Sequence, residues 1–224
     1  MRRLAKALAF GLATVLVFPE LISYWLRAAL LGPDRALQGS SEMLSLIPGL
    51  WGEYLRRAFY ARTLERCDPS ATIAFGTLFS KVGACIDENA YVGPRCHLGL
   101  VHLEKDVLLA AGVHVSSGAR THGTEDLATP IREQPGDIRR VRVGRGTWVG
   151  SGAVVMADVG RDTIVGAGAV VTRPLPDCVV AAGIPARVLR SRDKAMLHAP
   201  ETNLSDVPPV AEETFAGRER DVTR

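Results

Sequence analysis

His122 stands in a long stretch of the chain's second half that has no periodicity of its own, ARTHGTEDLATPIREQPGDIRR at positions 119–140. The stretch is polar, contains Pro130 and Pro135, and places Glu125 and Asp126 shortly after the histidine. An imidazole titrates near neutral pH, so it can take a proton from a weak nucleophile such as a hydroxyl. A neighbouring carboxylate would orient the ring and stabilise the imidazolium. Glu125 and Asp126 are both near enough in sequence, and the sequence does not choose between them. A lone loop histidine is ordinarily a solvated side chain. It gains a role only if a rigid scaffold throws out the loop that carries it.

The flanking residues supply such a scaffold. From Ile73 onward an aliphatic residue opens a six-residue unit again and again: IAFGTL from Ile73, IDENAY from Ile86, VGPRCH from Val92, LAAGVH from Leu109 and VSSGAR from Val115. After the interruption come VGRGTW from Val143, VGSGAV from Val149, VGRDTI from Val159 and VGAGAV from Val165. A period of six is too long for an alternating strand and too regular for a helix. Short strands joined by tight corners explain it, with each aliphatic pointing into a shared core and small residues letting coils stack. About five coils of a parallel β-helix are expected, with glycines at corners that need positive φ. Two steps are short: 98 to 103 is five residues and 155 to 159 is four.

The stretch 71–192 resembles the hexapeptide-repeat acyltransferase superfamily. GTWVGSGAVV at 146–155 and VGAGAVVTRPLPDCVVAAGIPARVLR at 165–190 are similar to the closing coils of bacterial sugar O-acetyltransferases. The resemblance implies a left-handed parallel β-helix, a homotrimer with sites between subunits, and acetyl-CoA as acyl donor with no metal. It places His122 as the general base in the family's loop. Ser151 and Ala167 match positions lining the pantetheine groove, and Trp148 matches the outward aromatic beside it. Thr172 and Arg173 match a Thr-Lys pair near the phosphates, with Arg in place of Lys. Arg187 and Arg190 match the basic positions of the closing segment. The two-residue shortening in VVMADVGRDTI departs from the family's whole hexads and bears on these cofactor positions.

His97, His102 and His114 lie inside repeats, where packed or corner positions are the ordinary reading. Related β-helix carbonic anhydrases use three histidines for zinc, so a zinc lyase is a rival class, and a non-catalytic scaffold is another. Zinc needs three protein ligands around an open position. Cys67, Cys85, Cys96 and Cys178 form no CxxC pair and are expected to be reduced and mostly buried.

The N-terminal part is of another kind. Positions 1–35 hold an apolar stretch behind Arg2, Arg3 and Lys6, interrupted by Pro19 and Glu20. Two short helices bent at Pro19 are expected, in contact with a membrane surface at the cytoplasmic face of the inner membrane. Positions 36–70 are amphipathic, with Ser40 or Ser41 as a helix cap, Pro48-Gly49 as a break, and Arg56, Arg57, Arg62 and Arg66 between aromatic positions. The helix either packs on the domain or presents a basic face to anionic lipid. Positions 193–224 form a polar tail rich in charge and proline. Among 224 residues, 47% are hydrophobic and the net charge is +3, too small to argue for nucleic acid. The expected activity is acyl transfer to a sugar hydroxyl, of an envelope polysaccharide or lipid-linked glycan precursor. An amino sugar or amino acid is the alternative acceptor.

Overall fold

The computed structural model describes residues 2–192, with side chains from Leu8 onward; the expected polar tail, 193–224, lies outside the described residues. Three parallel walls of two- to four-residue strands form a left-handed β-helix. The first wall holds 66–67, 85–86, 101–103 and 141–143; the second holds 72–73, 91–92, 108–109, 148–149, 164–165 and 179–182; the third holds 78–79, 97–98, 114–115, 154–155 and 170–171. Stacking is in register, for example Ile73 on Val92 and Val92 on Leu109 in the second wall. The inward ladder Ile73, Val92, Leu109, Val149, Val165 and Ala181 is fully buried. This is the periodic aliphatic series seen in the sequence, doing what a repeat requires: no coil can bury its own apolar side alone.

There are about six turns, not five. The extra turn comes from the ends, where Cys67 opens the first coil and Leu175 continues the first wall through an isolated bridge to Val159. Neither follows the hexad spelling. The corners differ in kind. Between the first and second walls the chain turns through Asn89, Asp106, Gly146, Asp162 and Cys178, all with φ between 53° and 67°. Between the second and third it turns through Gly76, Arg95, Gly112, Gly152 and Gly168, again left-handed. Asn and Asp tolerate this region, so glycine is only one of several residues serving it. The third corner is the variable one. It takes the short steps 98–103 and 155–159, a further four-residue step from Val171 to Leu175, and the long loop between Val115 and Val141. The shortening keeps Val143 paired with Val159, so the ladder passes through it intact.

Three helices close the lower end: α1 (Arg2–Leu31), α2 (Pro33–Ser45) and α3 (Gly49–Thr63). Helix α1 is continuous through Pro19, where a bend between two helices was expected. Ala13, Val17, Leu21 and Tyr24 are buried on either side of the proline, and α1 packs on both α2 and α3. That packing holds the two halves on one axis and offsets the lost hydrogen bond, a cost of roughly 3 kcal/mol. Glu20 is not a stray charge either: Arg27 Nη2 donates to its carboxylate at 2.6 Å and to Ser40 Oγ at 2.9 Å, which ties α1 to α2. The boundary expected after residue 35 falls inside α2. Pro33 at the first turn starts that helix, and Ser40 and Ser41, expected as caps, are buried in its interior.

Arg56 is the main departure from a basic lipid-facing helix. It is fully buried and donates to three carbonyls: Nε to Ile73 O at 3.0 Å, Nη1 to Leu44 O at 3.0 Å and to Ile47 O at 2.8 Å. Burial lowers its pKa. Arg57 lies over the rings of Phe10 and Tyr54 and donates to Ala71 O. Ser41 Oγ accepts from Phe79 N at 2.9 Å and lies 2.7 Å from the Tyr60 hydroxyl. The lower edge of the first coil is thus satisfied by side chains from α2 and α3. Arg56→Met should leave these carbonyls without their donor and destabilise the fold by about 3 kcal/mol, read as a lower urea midpoint with unchanged far-UV circular dichroism of the folded state.

Candidate active site

The loop that carries His122 leaves the variable corner as a two-stranded stalk. Asp137 N donates to Arg120 O at 2.6 Å and Arg139 N to Ser117 O at 2.9 Å. Beyond the stalk the backbones pass closely. A Cβ on Gly136 would lie 2.1 Å from Thr121 O, and one on Gly123 would lie 2.7 Å from Pro135 O. Glycine is therefore required at both positions. Gln134 is buried and pins the far lobe: its Nε2 donates to Asp126 O at 2.6 Å and Thr129 O at 2.7 Å, and its Oε1 accepts from Asp126 N. Sequence reasoning passed over Gln134, since nothing local marks a glutamine that bonds eight residues back.

The exposed His122 lines a concavity of about 540 Å³ together with Glu125, Asp126, Glu133 and Asp137. The Asp126 carboxylate accepts from Ala128 N at 2.8 Å and Thr129 Oγ1 at 2.6 Å, which lowers its pKa. Among the described residues no hydrogen bond joins His122 to Asp126 or Glu125. The concavity is acidic and open, and its histidine has a free edge for a hydroxyl.

The residues matched to the coenzyme lie at two corners and on the second wall with its closing strand. Ser151 and Ala167 are exposed, one above the other, at the corner of the second and third walls, where Gly168 N donates to Ser151 O at 2.8 Å. A Cβ on Gly150 would come within 2.5 Å of Ala167 N, so only glycine lets these corners stack. A Cβ on Gly152 or Gly168 would meet nothing within 4 Å, which leaves the rim open for an extended arm. Trp148 faces outward from the second wall, in register with Leu108 and Ile164. Arg187 and Arg190 are exposed on the closing strand Arg187–Ser191, which pairs antiparallel with Val179–Ala182. Thr172 and Arg173 are exposed at the variable corner, on the same side of the solenoid as the His122 loop. The third wall lies between the two corners.

The three histidines of the zinc reading do not converge within one chain. His97 and His114 stack on the third wall, with ring centroids 4.7 Å apart and planes 11° from parallel. His102 stands on the first wall, its Nε2 2.9 Å from Asp87 Oδ2 and 2.9 Å from Arg66 Nη2. Among the described residues no group of three His, Cys, Asp or Glu side chains is placed to hold a metal. Cys67, Cys85, Cys96 and Cys178 are free thiols. Burial pushes Cys67 up to about 12 and Cys96 up to about 11, so neither is a thiolate at neutral pH.

No protein-family model and no curated protein sequence matches this chain. Among solved structures, a maltose O-acetyltransferase from Clostridium difficile 630 superposes with a TM-score of 0.59 at 18% identity, over 70% of this chain and 87% of that one. A galactoside acetyltransferase in complex with coenzyme A superposes with a TM-score of 0.51 at 20% identity, over 78% of this chain and 84% of that one. At these identities the likeness establishes a shared fold, the left-handed β-helix of hexapeptide repeats.

Partial desolvation on the third wall, and then the neighbouring His114, lower the pKa of the exposed His97 from 6.5. The unfolded chain thus binds a proton more readily than the folded one in the window just below 6.5, and stability from this group rises with pH through that window. His97→Asn should flatten that rise between pH 5 and 7, measured by thermal melts of both proteins.

Proposed function

We propose that the protein is an acetyl-CoA-dependent acyltransferase acting on a sugar hydroxyl, with His122 as general base. The observation that carries this reading is a rigid β-helix whose variable corner projects an internally pinned loop with His122 at an open acidic concavity. The shared fold with two acetyltransferases and the resemblance of the closing coils support it. A coenzyme thioester supplies an activated acetyl group. His122 takes the proton of the acceptor hydroxyl as its oxygen attacks the carbonyl, then returns it to the sulfur as the carbon–sulfur bond breaks. Ser151, Ala167 and Trp148 fit an extended arm along the open rim, and Arg187, Arg190, Thr172 and Arg173 fit its phosphates. Either Glu125 or Asp126 would orient the imidazole once the loop closes on substrate. Because Ser151 and Ala167 stand on the opposite side of the third wall from the His122 loop, a homotrimer that brings one chain's loop to another's rim completes the site. An amino sugar or amino acid acceptor is the alternative within the same chemistry.

His122→Ala should reduce thiol release by about 10² to 10⁴ while acetyl-CoA still binds, measured by free-thiol assay against envelope glycans and by calorimetry. Near-normal turnover at saturating substrate would rule the general base out.

We further infer a membrane-surface location at the cytoplasmic face. Leu8–Leu31 is long and apolar enough to cross a membrane by length and composition. Its Ala13, Val17, Leu21 and Tyr24 stripe is occupied by α2 and α3, while Leu8, Val15, Leu26 and Leu30 are exposed, Leu30 at 84%. A helix covered on one side by protein suits a single leaflet better than a span, with its outward face in the acyl region. That placement favours a lipid-linked glycan as acceptor. The full chain should float with anionic vesicles, and light scattering in mild detergent should give three chains per particle; a soluble monomer would overturn both.

A further inference from the structure

A second concavity, of about 460 Å³, lies between α2 and the outward face of the third wall, away from the His122 loop's own pocket. Its floor is the stacked pair His97 and His114, its overhang is Gln38 and Glu42 one helical turn apart on α2, and its upper end is Ser116 and Ser117. Among the described residues, none of the two imidazoles, the Gln38 amide and the Glu42 carboxylate has a hydrogen-bond partner. Ser116 Oγ donates to Gly118 O at 2.8 Å, at the root of the His122 loop. The groove therefore runs along the wall that separates the open rim at Ser151 and Ala167 from the loop.

We propose that this groove is the acceptor-sugar subsite, with Gln38 and Glu42 reading the hydroxyls. The lining chemistry selects the ligand. Glu42 accepts only, the Gln38 amide both donates and accepts, and each neutral imidazole offers one donor and one acceptor. Leu78 and Val154 add apolar surface beside them. A pyranose has this mixed character, with hydroxyls on its rim and C–H faces between. No Lys or Arg lines the groove among the described residues, and Glu42 would repel an anion, so the coenzyme's phosphates are disfavoured there. The volume falls within the range of small-molecule sites. The groove ends at the root of the His122 loop, so a sugar held there would present a hydroxyl on the side from which that loop departs. This assignment rests on the transferase reading for its place in a reaction, and on the groove alone for sugar binding.

The test uses the full chain in a detergent without a sugar headgroup. The probe is a pool of the methyl glycosides of glucose, galactose, mannose and N-acetylglucosamine. Histidine ring resonances of His97 and His114 should shift with the pool in the wild type and not in a Gln38→Ala/Glu42→Ala double variant, whose exposed positions leave folding intact. In the thiol-release assay, Glu42→Ala should raise KM for the accepted glycoside about tenfold, as expected for a lost charge-assisted hydrogen bond, with KM for acetyl-CoA unchanged. Absence of any shift in the wild type overturns the proposal. So does an unchanged glycoside KM in both Gln38→Ala and Glu42→Ala, which leaves the transferase reading standing. Shifts without thiol release support the sugar groove and reject the transfer.

Discussion

A stack of parallel coils has two open ends, and every strand edge there presents backbone groups with no neighbour. Exposed, such edges invite association with other chains; buried and unpaired, they cost several kcal/mol. This chain depends on closing both. At the upper end Arg187–Ser191 turns back as an antiparallel strand on Val179–Ala182. At the lower end the cover is helical, and it offers few backbone partners, such as Ser45 O to Gly76 N at 3.0 Å. Side chains take over, with Arg56 on Ile73 O and Ser41 on Phe79 N. A buried arginine with no carboxylate partner is unusual. It is tolerated because carbonyl dipoles from α2, the α2–α3 turn and the first coil surround it.

The same closure places the candidate chemistry. Because Arg56 and Ser41 fix α2 and α3 on the first coil, the polar face of α2 overhangs the third wall and makes the groove with His97 and His114. Two corners of the solenoid are locked by left-handed residues and coil-to-coil hydrogen bonds, such as Gly152 N to Ala111 O and Gly168 N to Ser151 O. At the third corner the left-handed position recurs only at Gly118 among the described residues, and the step length varies from coil to coil without disturbing the ladders. Insertions are tolerated there, and that is where the His122 loop is found. Rigidity on two corners and freedom on the third allow one fold to carry a shaped loop.

The loop's own order is a tertiary matter on a small scale. His122 is exposed, yet its neighbours are held by the Gln134 pin and by the close approach of Gly123 and Gly136 to facing backbone. Asp126 is spent inside the loop on Ala128 N and Thr129 Oγ1. In this arrangement it shapes the lobe that holds the histidine, and among the described residues the Glu125 carboxylate makes no such bond.

What the sequence determined by itself was the solenoid, because the six-residue period of Val92, Leu109, Val149 and Val165 is a local signal repeated often enough to leave one solution. It also marked the loop, since 119–140 is where that period stops, and with it His122. The first coil and the last were hidden, because Cys67 and Leu175 do not spell the hexad and are fixed only by pairing with coils above or below. Tertiary structure alone decided the partners of charges and polar groups far apart in sequence. Glu20 and Arg27 are seven residues apart and read as liabilities in an apolar helix until they meet each other and Ser40. Arg56 reads as a surface charge until the carbonyls of Leu44, Ile47 and Ile73 enclose it. The groove of Gln38, Glu42, His97 and His114 has no sequence signal, because it exists only where a helix from one end of the chain is laid across a wall built from its middle. Periodicity reports which side chains face inward; what faces them from elsewhere is set by the fold.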